Sequence, residues 1–218
     1  MPAGIYLVLD SASTAGRSLE EIVKAAVAGG IKTVQLRCKD MPSGKFVDLV
    51  MACAQNTSGH AELLVNDRVD VYLAARAAGA EVQGVHIGQS DIRAELVREL
   101  IGPDAVLGLS ASTAKEIEAA NQLNASAPGT IDYLGVGAVH ATPTKKDHPE
   151  PLGYAGLAAA VARSHAPVVA IGGLGAIDIE AVAASGAASM AVVRAICAVE
   201  DPREATAALI DLWKAETP

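Results

Sequence analysis

The residues best suited to chemistry begin with Gln35-Leu36-Arg37-Cys38-Lys39. Polar and apolar residues alternate strictly there, and a strand's period of two sends Gln35, Arg37 and Lys39 to one face. Two cations and an amide are costly to bury unless an anion meets them, so a phosphate-rich ligand is the natural partner. An edge strand with one solvated face would carry the same pattern. Downstream lie Asn66-Asp67-Arg68 and a run through His86 and Gln89 to Asp91. Brought together, Asp67 and Asp91 would offer two hard oxygen ligands to Mg2+, which takes one or two carboxylates and fills its shell with waters and phosphate oxygens. Each aspartate could equally cap the helix that follows it. His86 sits inside an apolar run and reads as a hydrogen-bonded core histidine, outside the chemistry.

Ser110 ends an apolar run with no His/Asp arrangement beside it, so it is a ligand hydroxyl or an N-cap and not a nucleophile. The stretch Gly135 to Gly153 is too long and polar for a mere connection and holds Thr142, Thr144, Lys145 and Lys146, with Pro143, Pro149 and Pro151 restricting it. It reads as an anion-handling lid. Gly172-Gly173 and Val193-Arg194 each precede an expected helix. Backbone N–H groups at such places, after the seventh and eighth strands of a barrel, form the usual phosphate site. Two alternatives stay open: the glycines only make a tight turn, and Arg194 pairs with an acid such as Glu200. Two anion sites, two metal-type carboxylates and no nucleophile suit the departure of pyrophosphate better than acyl transfer or hydrolysis by a triad.

These residues need a scaffold that gathers strand ends. Short apolar runs alternate with helical-period segments throughout, the pattern of repeated βα units. The strands predicted are Ile5 to Leu9, Thr33 to Cys38, Glu62 to Val65, Gly84 to Ile87, Ala105 to Leu109, Tyr133 to Val136, Val168 to Ile171 and Met190 to Val193. Helices fall between and after them, from Leu19 to Ala28 at the start to Arg203 to Lys214 at the end, with C-caps expected at Gly29, Gly79, Gly102 and Gly186. Eight units with no Pro/Gly/Ser-rich linker predict one (β/α)8 TIM barrel over residues 1 to 218.

Of the 218 residues 51% are hydrophobic but only 3% aromatic, so the core must be built from Ala, Val, Ile and Leu. A net charge of −8 disfavours nucleic acid and anionic membranes as partners. Cys38, Cys53 and Cys197 are scattered, without CxxC spacing, and suggest neither a disulfide framework nor a zinc site. With no basic segment before the first apolar run and no long apolar stretch, a cytoplasmic protein acting on small molecules is expected. The sequence leaves the oligomeric state open, a homo-oligomer included.

Several motifs together resemble the thiamine phosphate synthase family, also called thiamine-phosphate pyrophosphorylase. They are QLRCK (35–39), LLVNDRVDV (63–71), GVHIGQSD (84–91), YLGVG and ATPTKKD (133–137 and 141–147), and VVAIGGL (168–174). The resemblance covers nearly the whole chain. It implies a (β/α)8 barrel that joins hydroxymethylpyrimidine diphosphate to a thiazole phosphate and releases pyrophosphate. It further implies that the pyrimidine diphosphate is held at Gln35, Arg37, Lys39, Asn66, Ser110 and Lys145. By the same resemblance Asp67 and Asp91 hold Mg2+, and the thiazole phosphate lies at Thr142, Thr144, Gly173, Val193 and Arg194. The chain departs from the family pattern at Arg194, where a small residue is usual. It departs again at Ala138 and His140, where Pro and an aromatic are frequent, and at Ser112, in place of the histidine of GxSxH. A related branch, the thiazole tautomerases, carries a catalytic histidine at the position of Ala138. That branch, or a non-catalytic paralogue that binds thiazole phosphate, is the alternative the resemblance leaves.

Overall fold

The computed structural model describes residues 2–142 and 150–217. Eight parallel strands close into a barrel in chain order, β1 (Gly4–Asp10), β2 (Thr33–Arg37), β3 (Glu62–Asn66), β4 (Gly84–Ile87), β5 (Val106–Ser110), β6 (Tyr133–Val136), β7 (Val168–Ile171) and β8 (Ser189–Val192). The last strand bonds back to the first, pairing Gly4 with Ser189 and Leu7 with Val192. All eight predicted strands are present, with ends displaced by a residue or so. Closure removes every sheet edge, so the solvated-edge reading of the second strand does not hold.

The strands read as they do because each has two buried faces. Outward residues such as Leu7, Leu9, Val34, Leu36, Leu63 and Val65 belong to the large core under the helices. The alternate residues Tyr6, Val8, Leu64, Tyr133, Val169 and Ala191 form a smaller core inside the barrel. Period-two alternation therefore separates two apolar environments along most of each strand, and polar residues mark where the inner one opens.

The helices are α1 (Leu19–Ala28), α2 (Ser43–Thr57), α3 (Val69–Ala77), α4 (Ala94–Ile101), α5 (Ala114–Ser126), α6 (Gly153–Arg163), α7 (Ile179–Ala184), α8 (Arg194–Cys197) and α9 (Pro202–Glu216). Capping boxes start α1 and α5: Ser18 and Glu21 bond each other's backbone N–H groups, as do Thr113 and Glu116. Asp201 caps α9 ahead of Pro202. The four-residue α8 was not expected from the sequence, because one turn is too short to show a helical period. At the end of α1 it is Gly30, with φ of 97°, that takes the left-handed position, while the expected C-cap Gly29 stays right-handed at φ −82°. Gly29 is needed for another reason: a Cβ there would lie 2.5 Å from the Arg203 carbonyl oxygen and 2.8 Å from Thr206 Cβ, where α9 packs against α1.

Candidate active site at the mouth of the barrel

The C-terminal ends of β1 to β4 gather charge. Arg37, last in β2, donates from Nη1 to Asp10 Oδ2 at the end of the neighbouring β1. Asp10 is buried and also accepts from the Ala12 backbone N–H at 2.8 Å through Oδ1. Asp10 was missed in the sequence, although Tyr6, Val8 and Asp10 alternate along β1 as Gln35 and Arg37 do along β2, which was the signal for it. Beside them Lys39 Nζ stands 3.5 Å from Asp67 Oδ2.

Asp67 adopts φ of 63°, a left-handed conformation uncommon outside glycine and tolerated by Asp. Such backbone concentrates at functional sites. It turns Asp67 away from a capping role: the N-cap of α3 is Arg68, and no side chain caps that helix. Asp91 does not cap α4 either, whose N-cap is Arg93. Its Oδ2 accepts from Gly88 N at 2.7 Å. Burial raises the Asp67 carboxyl above its ordinary range, the adjacent Asp91 charge and a hydrogen bond shared with Asp91 raise it further, and Lys39 opposes the rise. Two carboxylates pressed together against burial and mutual repulsion suit a hard divalent cation. Among the described residues no group of three or more His, Cys, Asp or Glu side chains is placed to hold a metal ion by itself. A cation there would take the rest of its shell from water and phosphate oxygens, the arrangement Mg2+ favours.

Deeper in the mouth Gln35 and Asn66 are buried, and Ser110 lies at the end of β5. Ser110 Oγ is 2.9 Å from His86 Nε2, and its carbonyl oxygen accepts from Gln89 Nε2 at 2.7 Å. His86 is buried and hydrogen-bonded, as its sequence setting suggested. The cysteines are also buried, and burial pushes the Cys38 thiol up to about 11 and those of Cys53 and Cys197 up to about 12, so none offers a thiolate nucleophile.

The opposite side of the mouth is built from backbone. Val139 N and His140 N donate to Ile171 O and Gly172 O, carrying the β6 segment alongside the end of β7. Leu152 N and Gly153 N donate back to Ala138 O and Val139 O, so the two ends of the long loop are tied together. Gly172 and Gly173 have φ of 103° and 71°. A Cβ on Gly172 would meet Ala138 Cα at 2.6 Å, and one on Gly173 would meet His140 Cβ at 2.7 Å. Their immediate role is thus to let the β6 loop lie close, beyond making a turn. Asp178, buried before α7, accepts from His140 Nε2 at 2.9 Å, from Tyr154 Oη at 2.5 Å and from Gly175 N at 2.7 Å. This cluster fastens the loop to the β7 side, and no local spacing of its three residues signals it.

Val193 caps α8, and Arg194 opens it. Arg194 is exposed and forms no ion pair among the described residues. No Arg194–Glu200 ion pair forms among the described residues, and it is the backbone carbonyl of Glu200 that accepts from Arg17 Nη2 at 2.8 Å. Thr142 is described at the near end of the loop, whereas Thr144 and Lys145, like Lys146, lie outside the described residues.

Residues 5–196 match the family model described as thiamine monophosphate synthase. The chain belongs to the thiamine monophosphate synthase family. The thiamine-phosphate synthase of Psychrobacter sp. strain PRwf-1 is 38% identical over 206 residues, covering 94% of this chain and 93% of that protein. The enzyme of the same name from Vibrio parahaemolyticus is 39% identical over 209 residues, covering 95% of this chain and 97% of its own. Among solved structures, thiamine phosphate pyrophosphorylase from Pyrococcus furiosus superposes with a TM-score of 0.83 at 28% identity, covering 99% of this chain and 98% of that one.

Proposed function

We infer that this protein is a thiamine-phosphate synthase, a transferase that couples 4-amino-2-methyl-5-hydroxymethylpyrimidine diphosphate with a thiazole phosphate to give thiamine phosphate and pyrophosphate. The observation that carries this reading is the convergence of Arg37, Lys39, Asp67 and Asp91 at the ends of adjacent strands in a chain of that family. In the reaction the C–O bond to the diphosphate breaks and its electron pair leaves with pyrophosphate. The thiazole nitrogen then donates its lone pair to the pyrimidine methyl cation, forming the C–N bond.

The residues divide this work. Arg37, Lys39 and Lys145 receive the charge that builds on the leaving diphosphate, where fixed cations act most strongly. Gln35, Asn66 and Ser110 hold the pyrimidine diphosphate. Thr142, Thr144, Gly173, Val193 and Arg194 take the thiazole phosphate, with Arg194 adding a fixed charge. Asp67 and Asp91 would hold Mg2+, which when bound neutralises part of the diphosphate charge. Among the described residues no helix is long and apolar enough to cross a membrane. A cytoplasmic location belongs to the same reading, supported by three unpaired cysteines.

Purified protein supplied with both substrates and Mg2+ is expected to release pyrophosphate and form thiamine phosphate in equal amounts. Absence of both products would overturn the reading. The tautomerase alternative is met by Ala138, which lacks the histidine of that branch, while His140 commits Nε2 to Asp178. NMR of the thiazole phosphate alone with the protein should accordingly show no isomerisation.

A further inference from the structure

We propose that His86 and Tyr133 form a polarised hydrogen-bond relay that fixes the Ser110 hydroxyl as a donor toward the pyrimidine half of the substrate, which makes both of them positioning residues. The proposal rests on the synthase reading above and deepens it.

The relay crosses five strands of the barrel interior. Gln35 Nε2 on β2 donates to Tyr6 Oη on β1 at 2.7 Å, and Tyr6 Oη lies 2.9 Å from Tyr133 Oη on β6. Tyr133 Oη lies 2.9 Å from His86 Nδ1 on β4, and His86 Nε2 lies 2.9 Å from Ser110 Oγ on β5. Both outer members, Gln35 and Ser110, belong to the proposed pyrimidine diphosphate site.

The space for the relay is built into the barrel. A Cβ on Gly108 would lie 2.2 Å from Tyr133 Cζ and 2.5 Å from His86 Nδ1, and one on Gly135 would lie 2.9 Å from His86 Cε1. Two neighbouring strands therefore give up inward side chains so that the imidazole can reach Ser110. A histidine that merely filled the core would not need both vacancies. The tyrosine rings meet edge to face at 6.1 Å, and Tyr133 and His86 lie tilted at 5.4 Å, which holds the donors in line.

Proton counting gives the relay its direction. Each phenol has one proton, and burial raises both phenols well above their ordinary range, so both stay protonated. Because Tyr6 accepts from Gln35, its proton goes to Tyr133. The Tyr133 proton then goes to His86 Nδ1, so a neutral imidazole carries its hydrogen on Nε2 and donates it to Ser110 Oγ. Ser110 is left to donate its own proton to the ligand. An aminopyrimidine offers ring nitrogens that only accept, so a serine held as donor discriminates for it, whereas a freely rotating hydroxyl would not.

The test is a double-mutant cycle of Tyr133→Phe and Ser110→Ala in the whole enzyme, with kcat and KM measured for each substrate while the other is saturating. Tyr133→Phe is expected to raise the KM for the pyrimidine diphosphate roughly fivefold, about one hydrogen bond, and to leave the KM for the thiazole phosphate unchanged. In the Ser110→Ala background the same substitution should add nothing. Additive effects, or an equal rise in both KM values, would overturn the relay. If Tyr133→Phe fails to fold by thermal melting, His86→Leu removes the link to Ser110 directly and is read by the same cycle. An inactive wild-type enzyme would sink the synthase reading, while an active one with an additive cycle would sink the relay alone.

Discussion

On the β1 to β4 side of the mouth Arg37 is paired with buried Asp10 and Lys39 with Asp67, while on the β6 to β8 side Arg194 is exposed and unpaired among the described residues. The first side keeps its cations in place with carboxylates that are themselves buried or crowded. The second side is shaped by glycine backbone and by a loop fastened through Asp178. A substitution on the first side should therefore disturb charge and stability together, whereas on the second side a glycine substitution should act through backbone packing and a cation substitution through substrate affinity.

Arg37→Ala should show the largest effect. It removes a charge-assisted contact to the leaving group, at least roughly 2 kcal/mol in kcat/KM. It also leaves Asp10 buried without its cation, which costs about 3 kcal/mol of stability when such a pair is broken. Thermal melting and steady-state kinetics should fall together, and unchanged values in both would remove the Arg37–Asp10 pair from the account. Lys145→Ala should lose at least roughly 2 kcal/mol of transition-state stabilisation, read as kcat/KM for pyrophosphate release.

Gly173→Ala probes the opposite side. Its φ of 71° and the approach of His140 Cβ predict a loss of about 1 to 3 kcal/mol in denaturant unfolding, with a raised KM for the thiazole phosphate. A variant as stable as the wild type would mean that the loop does not need this contact. Arg194→Ser should have the smallest effect: a severalfold rise in the thiazole phosphate KM, on the order of 1 kcal/mol, with melting unchanged. A lower KM in this variant would show that Arg194 hinders the phosphate instead of aiding it.

The barrel was legible because alternation of apolar runs and helical segments repeats eight times, and each strand is buried on both faces. Gln35 and Arg37 stood out because polar residues interrupt that burial at period two. Asp10 carried the same signal in a strand whose other inward residues, Tyr6 and Val8, look like ordinary core. The capping alternative for Asp67 and Asp91 was settled only by the backbone, since φ at Asp67 and the N-caps at Arg68 and Arg93 have no sequence signature. His140, Tyr154 and Asp178 are brought together by a loop returning on itself, a long-range closure that local spacing does not encode. For the same reason the three inner members of the proposed relay stood in the sequence only as one core histidine and two scattered tyrosines, with no link to Gln35 and Ser110.

The most direct test of the contrast between the two sides is a crystal structure of the protein with Mg2+ and pyrophosphate. Pyrophosphate is expected against Arg37 and Lys39, with the metal held by Asp67 and Asp91. Pyrophosphate bound at Gly173 and Arg194, with both carboxylates free of metal, would contradict it.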